Sequence, residues 1–248
     1  MASEALVNPA ARPPGPGGPD APAVPDAPTV PDAPTVPDAP AVPPTPPQAQ
    51  QVFGPATAAA EHYARLLAGP AVTRGLIGPR EVPRLWERHL LNSAAVAELI
   101  PHPCSLIDLG SGAGLPGIVL ALLLPDVTVT LLEPMLRRVT FLSECVRDLG
   151  LANAQVCRGR AEDLAGRLSA DVVTARAVAP LDRLAGLALG LVRPGGTVLA
   201  IKGVGAQQEV VAARRVLRGL GVRSVGVVRA GDGKVDPAVT VVRLTAGP

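Results

Sequence analysis

Ile107-Asp108-Leu109-Gly110-Ser111-Gly112-Ala113-Gly114-Leu115-Pro116-Gly117 decides the fold. The apolar, β-branched residues before it read as a strand, and Pro116 opens an apolar run that reads as a helix. Gly110, Gly112 and Gly114 permit a tight turn and a close backbone approach to a ligand. The spacing is GxGxG, not the GxGxxG of dinucleotide binders. Asp108 ends the strand, where it can take hydrogen bonds from an ammonium group or an ordered water. Pro116 removes an amide that a pyrophosphate would use. A nucleoside carrying a zwitterionic amino-acid tail fits these features. A ligand-free glycine turn and a dinucleotide site are the alternatives.

Downstream of this turn, strand and helix alternate. Strands are expected at Ser105–Leu109, Val127–Leu132, Ala154–Cys157, Asp171–Ala175 and Thr197–Ile201. Helices are expected at Pro116–Leu124, Met135–Leu149, Glu162–Leu168, Leu181–Val192 and Ala206–Leu220. Such alternation implies a parallel sheet covered on both faces. The last two strands, Val222–Val228 and Val239–Leu244, have no helix between them. A Gly231-Asp232-Gly233 turn joins them, which implies an antiparallel hairpin at one edge. This layout is similar to the Rossmann-like class I fold of the S-adenosyl-L-methionine (SAM) dependent methyltransferases. The expected fold is therefore α/β, a doubly wound, mostly parallel seven-stranded sheet ending in that hairpin. An N-terminal helical segment and a disordered Pro-rich tail precede it. The expected boundaries are 1–51 for the tail, 52–103 for the helical segment and 104–248 for the core.

Upstream, Ala56–Leu67 and Val82–Ile100 read as helices by their 3.6-residue periodicity. Before them, composition changes. Sixteen of the 29 prolines fall in residues 1–50, and residues 19–42 are four copies of PDAP(A/T)V. Proline at every third position excludes helix and sheet ladder and favours an extended spacer. The charge divides in the same place. Residues 1–50 carry one Arg against one Glu and four Asp, a net −4, so the rest carries +6 within the overall +2. Only Lys202 and Lys234 among the 23 basic residues are not Arg. Guanidinium forks suit phosphate and guanine edges.

Several classes are excluded. The longest apolar run, residues 118–124, is far short of the roughly 20 needed to span a bilayer. No apolar N-terminal stretch reads as a secretory signal. The three cysteines form no CxxC pair, so neither a disulfide framework nor a metal site is indicated. A cytoplasmic location, no membrane, no metal and a monomer are the expectations.

The ends of the other strands supply candidate site residues. Glu133 follows the second strand, 19 residues after Gly114. It can hold ribose hydroxyls or act as an acid at a helix N-terminus. Ala161 and Glu162, in Arg160-Ala161-Glu162-Asp163, lie where an adenine edge would be read, or simply begin a helix. Arg176 after the fourth strand and Lys202 after the fifth suit an anionic substrate, or pair with local acids such as Asp108 or Asp182. No Asn/Asp-Pro-Pro-aromatic motif is present. The Pro103-Cys104 pair precedes the first strand and is misplaced for a cytosine nucleophile. On the upstream helix, Arg88, His89 and Ser93 lie close together. His89 is either a core histidine or a group at the site's mouth. Arg88, Arg137 and Arg138 are candidate RNA phosphate contacts, or a solvated face.

Together these blocks resemble the RsmG family, also called glucose-inhibited division protein B. The resemblance runs from about Ala56 to Leu244. It rests on Arg88-His89 with Ser93, on Asp108 through Gly117, and on Leu131-Leu132-Glu133 with Arg137-Arg138 and Phe141-Leu142. It continues through Arg160-Ala161-Glu162, Thr174-Ala175-Arg176-Ala177 and Ile201-Lys202-Gly203. It implies SAM-dependent methylation of guanine N7 in 16S rRNA, on free rRNA or the small ribosomal subunit. It also implies that Gly110, Leu115, Ala161, Glu162 and Arg176 bind the cofactor. Arg176, Lys202 and His89 are the expected catalytic group. A small-molecule methyltransferase and a non-enzymatic ribosome-assembly factor that keeps a SAM pocket are the alternatives.

Overall fold

The computed structural model describes residues 41–248. Four of the five first strands read as nearly continuous apolar runs, as strands covered on both faces should. They are β1 (Cys104–Leu109), β2 (Val127–Glu133), β3 (Ala154–Arg158), β4 (Ala170–Arg176) and β5 (Val192–Lys202). All pair in parallel. β6 (Val222–Ala230) and β7 (Val239–Ala246) form the expected antiparallel hairpin. The hairpin inserts β7 against β5, so the seven strands run β3-β2-β1-β4-β5-β7-β6. The chain reverses direction across the sheet between β1 and β4. That switch point is where an open α/β sheet places its crevice.

The period-2 alternation of each strand sorts its side chains between two cores. Leu106, Val129, Leu131 and Leu199 enter one core; Ile107, Leu109, Leu132 and Val198 enter the other. The first core is closed by α4 (Gly117–Leu123) and α5 (Leu136–Asp148), and by helical residues upstream of β1. The second is closed by α7 (Leu181–Leu189) and α8 (Ala206–Gly219). Ile118, Val119 and Leu120 of α4 are fully buried. Each such side chain contributes about 1.5–3 kcal/mol of transfer free energy.

Three boundaries differ from the sequence expectation. Order does not wait for Val52. Residues 47–51, assigned above to the tail, form most of a first helix, α1 (Pro47–Phe53). Its proline sits at the N-terminal position, where the missing N–H costs no bond. Ala49 and Phe53 are buried, and the Phe53 ring meets Trp86 edge-on at 6.3 Å. The Trp86 indole N–H also donates to the Pro43 carbonyl at 3.2 Å. The hexapeptide repeat lies almost wholly outside the described residues. The short helix after β3, α6 (Ala161–Leu164), ends four residues before the expected Leu168. β5 begins at Val192, which periodicity had placed in the preceding helix.

Upstream of the sheet, α2 (Thr57–Leu66) continues into a widened turn at Leu67–Ala71. The expected helix 82–100 is a composite. Tight 3-10 turns span Pro79–Arg84, a wide π turn spans Leu85–Leu91, and α3 (Asn92–Ala95) follows. Pro83 cannot give the amide a regular helix needs, and wide turns of this type gather at functional sites.

Candidate active site

The loop between β1 and α4 is held from below and from the side. Gly110 N–H and Ser111 N–H both donate to the Leu132 carbonyl, at 2.9 and 3.1 Å, tying the loop to the end of β2. Gly110, Gly112 and Gly114 have φ of +68°, +61° and +98°, a region L side chains avoid. At Gly114 a Cβ would also collide with Ile118 and lie 2.8 Å from the Tyr63 hydroxyl. That hydroxyl, fully buried on α2, donates to the Ala113 carbonyl at 2.6 Å. Burial raises the Tyr63 pKa well above its ordinary value, so it stays a donor.

Asp108 does not face a ligand. It is 1% exposed and lies under the loop. One carboxylate oxygen accepts from Gly117 N–H at 3.0 Å, the other from the Thr174 hydroxyl at 3.2 Å. Burial pushes its pKa up to about 6. The expected contact with an ammonium group is replaced by a supporting role, because the carboxylate is sealed under the loop and borders neither of the cavities described below. Gly114 likewise faces the interior. Glu133 is also 1% exposed, yet it borders a cavity. It accepts from Gly112 N–H and Met135 N–H, each at 3.0 Å, and lies 3.5 Å from an Arg138 nitrogen. Glu133 therefore orders the start of α5, as its second reading has it, and keeps acceptor capacity toward the cavity.

Two cavities open along the carboxyl ends of the strands. The smaller, about 400 Å³, is walled by Leu109, Leu132, Met135, Val178 and Leu187, with Glu133, Ala161 and Glu162 as its polar or backbone edge. The larger, about 660 Å³, holds Gly112, Leu115, Arg88, His89 and Lys202. Gly110, Arg138, Arg176 and Ala177 border both. Ala177 has φ +54°, unusual for a residue with a Cβ. It turns the chain sharply after β4, beside Arg176.

Arg176 is held at this junction by two bonds from one helical turn. Its guanidinium donates to the Arg88 carbonyl at 3.2 Å and to His89 Nδ1 at 2.7 Å. His89 Nε2 in turn lies 3.0 Å from Glu81 Oε2. Burial, and then the adjacent Arg176 charge, lower the His89 pKa. Burial also lowers that of Arg176. Lys202 borders the larger cavity and, as its second reading has it, pairs with a nearby acid. Its ammonium donates to the Ala179 carbonyl at 2.9 Å and to Glu209 at 2.8 Å. Glu209 also accepts from Leu181 N–H at 3.1 Å. Lys202 thus fastens the loop after β4 to α8, through an acid other than Asp108 or Asp182. Arg137 is exposed on the first turn of α5 and borders neither cavity. Ser93 is fully buried, and its hydroxyl lacks a partner.

Sequence reasoning missed Glu81 and the polar role of Tyr63. Glu81 precedes the expected helix start and carried no periodic signal. In the sequence Tyr63 reads only as an apolar position of the helix expected at Ala56–Leu67.

The chain is similar to proteins that are known. Residues 56–235 match the family model described as GidB, rRNA small subunit methyltransferase G. The chain belongs to the GidB family. A GidB relative from Thermobifida fusca, named ribosomal RNA small subunit methyltransferase G, is 59% identical over 197 residues, covering 79% of this chain and 83% of its own length. One of the same name from Streptomyces avermitilis is 55% identical over 203 residues, covering 82% and 85%. The fold is also similar to that of a SAM-dependent O-methyltransferase from Thermotoga maritima, at 15% identity and a TM-score of 0.52 over 68% of this chain and 70% of that one. The sheet is that of the class I SAM-dependent methyltransferases. No helix among the described residues is long and apolar enough to cross a membrane. No group of three or more His, Cys, Asp or Glu among them could hold a metal.

The site fits SAM, the cofactor of this enzyme class. Apolar walls suited to a purine line the smaller cavity. Glycines leave the loop backbone open toward the larger one, and Glu133 supplies an acid with spare acceptor capacity at the edge of the smaller one.

Proposed function

We propose that this protein transfers the methyl group of SAM to N7 of a guanosine in 16S rRNA, as a cytoplasmic monomer acting on the rRNA or the small ribosomal subunit. The observation that carries this reading is the meeting of two cavities at Arg176 in a chain of the GidB family. The smaller cavity takes the adenosine, with Glu133 toward the ribose and Ala161 and Glu162 toward the adenine edge. The glycine loop takes the amino-acid tail. The larger cavity takes the guanine.

SAM supplies an electrophilic methyl group when bound. Guanine N7 carries a lone pair and no proton, so the protein need not remove one. The site agrees with that demand. Both ring nitrogens of His89 are engaged, one by Arg176 and one by Glu81, so it offers no free base. What remains for the side chains is orientation, which can supply a large share of the barrier reduction. Arg176 is placed to hold the O6 edge of the base or its phosphate. Arg138 shares the junction. Lys202 keeps the loop after β4 in place. Arg88, on the wall of the larger cavity, and Arg137, on the first turn of α5, are exposed and suited to phosphates of the approaching strand.

The test is transfer of labelled methyl from SAM to small-subunit rRNA or particles that lack the modification, followed by mapping of the label. Label on guanine N7 is the expected outcome; no transfer to RNA defeats the reading. Arg176→Ala should lower kcat by about 100-fold, the scale of a lost positioning contact, with an unchanged melting temperature. Full turnover in that variant removes Arg176 from the site.

A further inference from the structure

Glu81 is the one carboxylate on the wall of the larger cavity among the described residues. It lies in the tight turns of Pro79–Arg84, before the wide turn that carries Arg88 and His89. Its two oxygens face two different partners. Oε2 lies 3.0 Å from His89 Nε2, and Oε1 lies 3.4 Å from an Arg88 guanidinium nitrogen. Each of these residues also holds Arg176, His89 through Nδ1 and Arg88 through its carbonyl. One acid therefore stands behind both anchors of the guanidinium at the cavity junction.

We propose that Glu81 is a positioning residue for methyl transfer: through His89 and Arg88 it fixes Arg176 between the cofactor and the acceptor base. The proton inventory of the chain supports this. A guanidinium donates and cannot accept, so the Nδ1 that meets Arg176 is bare. The ring proton is then on Nε2, and it points at Glu81. Such a hydrogen bond is what selects a histidine tautomer. Without the carboxylate, Nε2–H has no partner in a half-closed wall. The other tautomer would aim an N–H at the Arg176 N–H groups. Either outcome frees the guanidinium to leave the junction.

The charges around His89 give the arrangement a pH signature. Glu81 and Arg88 face it from its own helical segment and Arg176 faces it from β4. Lys202 of β5 and Arg138 of α5 border the same cavity. Burial and Arg176 disfavour the imidazolium, while Glu81 favours it. Protonation of Nδ1 would break the bond to Arg176, so activity should fall on the acid side as His89 titrates. Removing the Glu81 charge should move that limb to lower pH.

The inference rests on the methyltransferase reading above, and its test separates the two. Glu81→Ala and Glu81→Gln are compared with the full-length protein for methyl transfer to rRNA, SAM affinity and pH profile. Glu81→Ala is expected to lose about tenfold or more in kcat with SAM affinity little changed. Glu81→Gln keeps an amide oxygen for Nε2–H and is expected to recover most of the rate, with its acid limb displaced downward. A purely structural acid would not move that limb. The second readout needs no activity. In nitrogen-15 NMR the Arg176 guanidinium signals, identified by their loss in Arg176→Lys, should be distinct in the wild type and averaged in Glu81→Ala. The His89 midpoint, one of only three histidines, should drop in both Glu81 variants. An unchanged kcat in Glu81→Ala overturns the proposal. So do unchanged Arg176 signals, even if the wild type transfers no methyl group to RNA.

Discussion

Asp108 shows how a residue at the right place can have the less obvious task. Its carboxylate is sealed under the glycine loop and bound by Gly117 N–H and the Thr174 hydroxyl. Burial raises its pKa from 3.8 to about 6. The folded state therefore holds the proton more tightly than the unfolded chain. The stabilising effect of the neutral form is complete below pH 3.8 and is lost as pH rises through about 6. At about 1.4 kcal/mol per pKa unit, the change is about 3 kcal/mol. Asp108→Asn cannot titrate. Its unfolding free energy, measured in urea beside the wild type at pH 4 and pH 7.5, should improve relative to the wild type by about that amount at the higher pH. A difference that stays flat with pH would show that Asp108 carries no such burden. The position of Asp108 was legible in the sequence. Its direction was not, because Thr174 becomes its neighbour only when β4 pairs with β1.

At the scale of elements, the glycine loop depends on a helix far from it in sequence. Tyr63 of α2 reaches across 50 residues to the Ala113 carbonyl. Tyr63→Phe keeps the ring and leaves that buried carbonyl without its donor, a loss of about 1–3 kcal/mol. At roughly 2–4 °C per kcal/mol for a domain of this size, the melting temperature should fall by several degrees. SAM binding, measured by calorimetry, should weaken with it. Unchanged values in both would mean that Asp108, Glu133 and the β2 carbonyl hold the loop without Tyr63. Strand and helix order was readable from Ala56 onward, since period 2 and period 3.6 survive in the apolar pattern. The composite helix was readable as helical from Val82 onward. Its wide turn was not, because the turn exists where Arg88 and His89 meet Arg176 from another element.

At the scale of the molecule, the N-terminal segment belongs to the folded unit from the low forties onward. Pro43, Thr45 and Gln48 bond to Trp86, Glu61 and the Lys234 carbonyl, and Ala49 and Phe53 are buried. Deleting residues 1–40 should leave melting temperature and methyl transfer unchanged. Deleting residues 1–51 should cost roughly 2–4 kcal/mol from lost apolar burial and hydrogen bonds, read as an earlier urea midpoint. Equal midpoints for the two truncations would place the functional boundary at Val52, where proline density alone suggested it.

The sequence by itself determined the class of fold, the glycine turn and the strand-end positions from which a site is built. Those are local matters: periodicity, turn chemistry and the order of elements along the chain. Family resemblance added the cofactor and the kind of substrate. Only the tertiary structure decided what each polar side chain does. Asp108 and Glu133 hold the loop, Lys202 clamps α8, and Glu81 backs His89 and Arg176. These assignments depend on which donors and acceptors meet across as many as 88 residues of chain. A buried polar group must find a partner wherever packing brings one, and packing is a property of the whole fold.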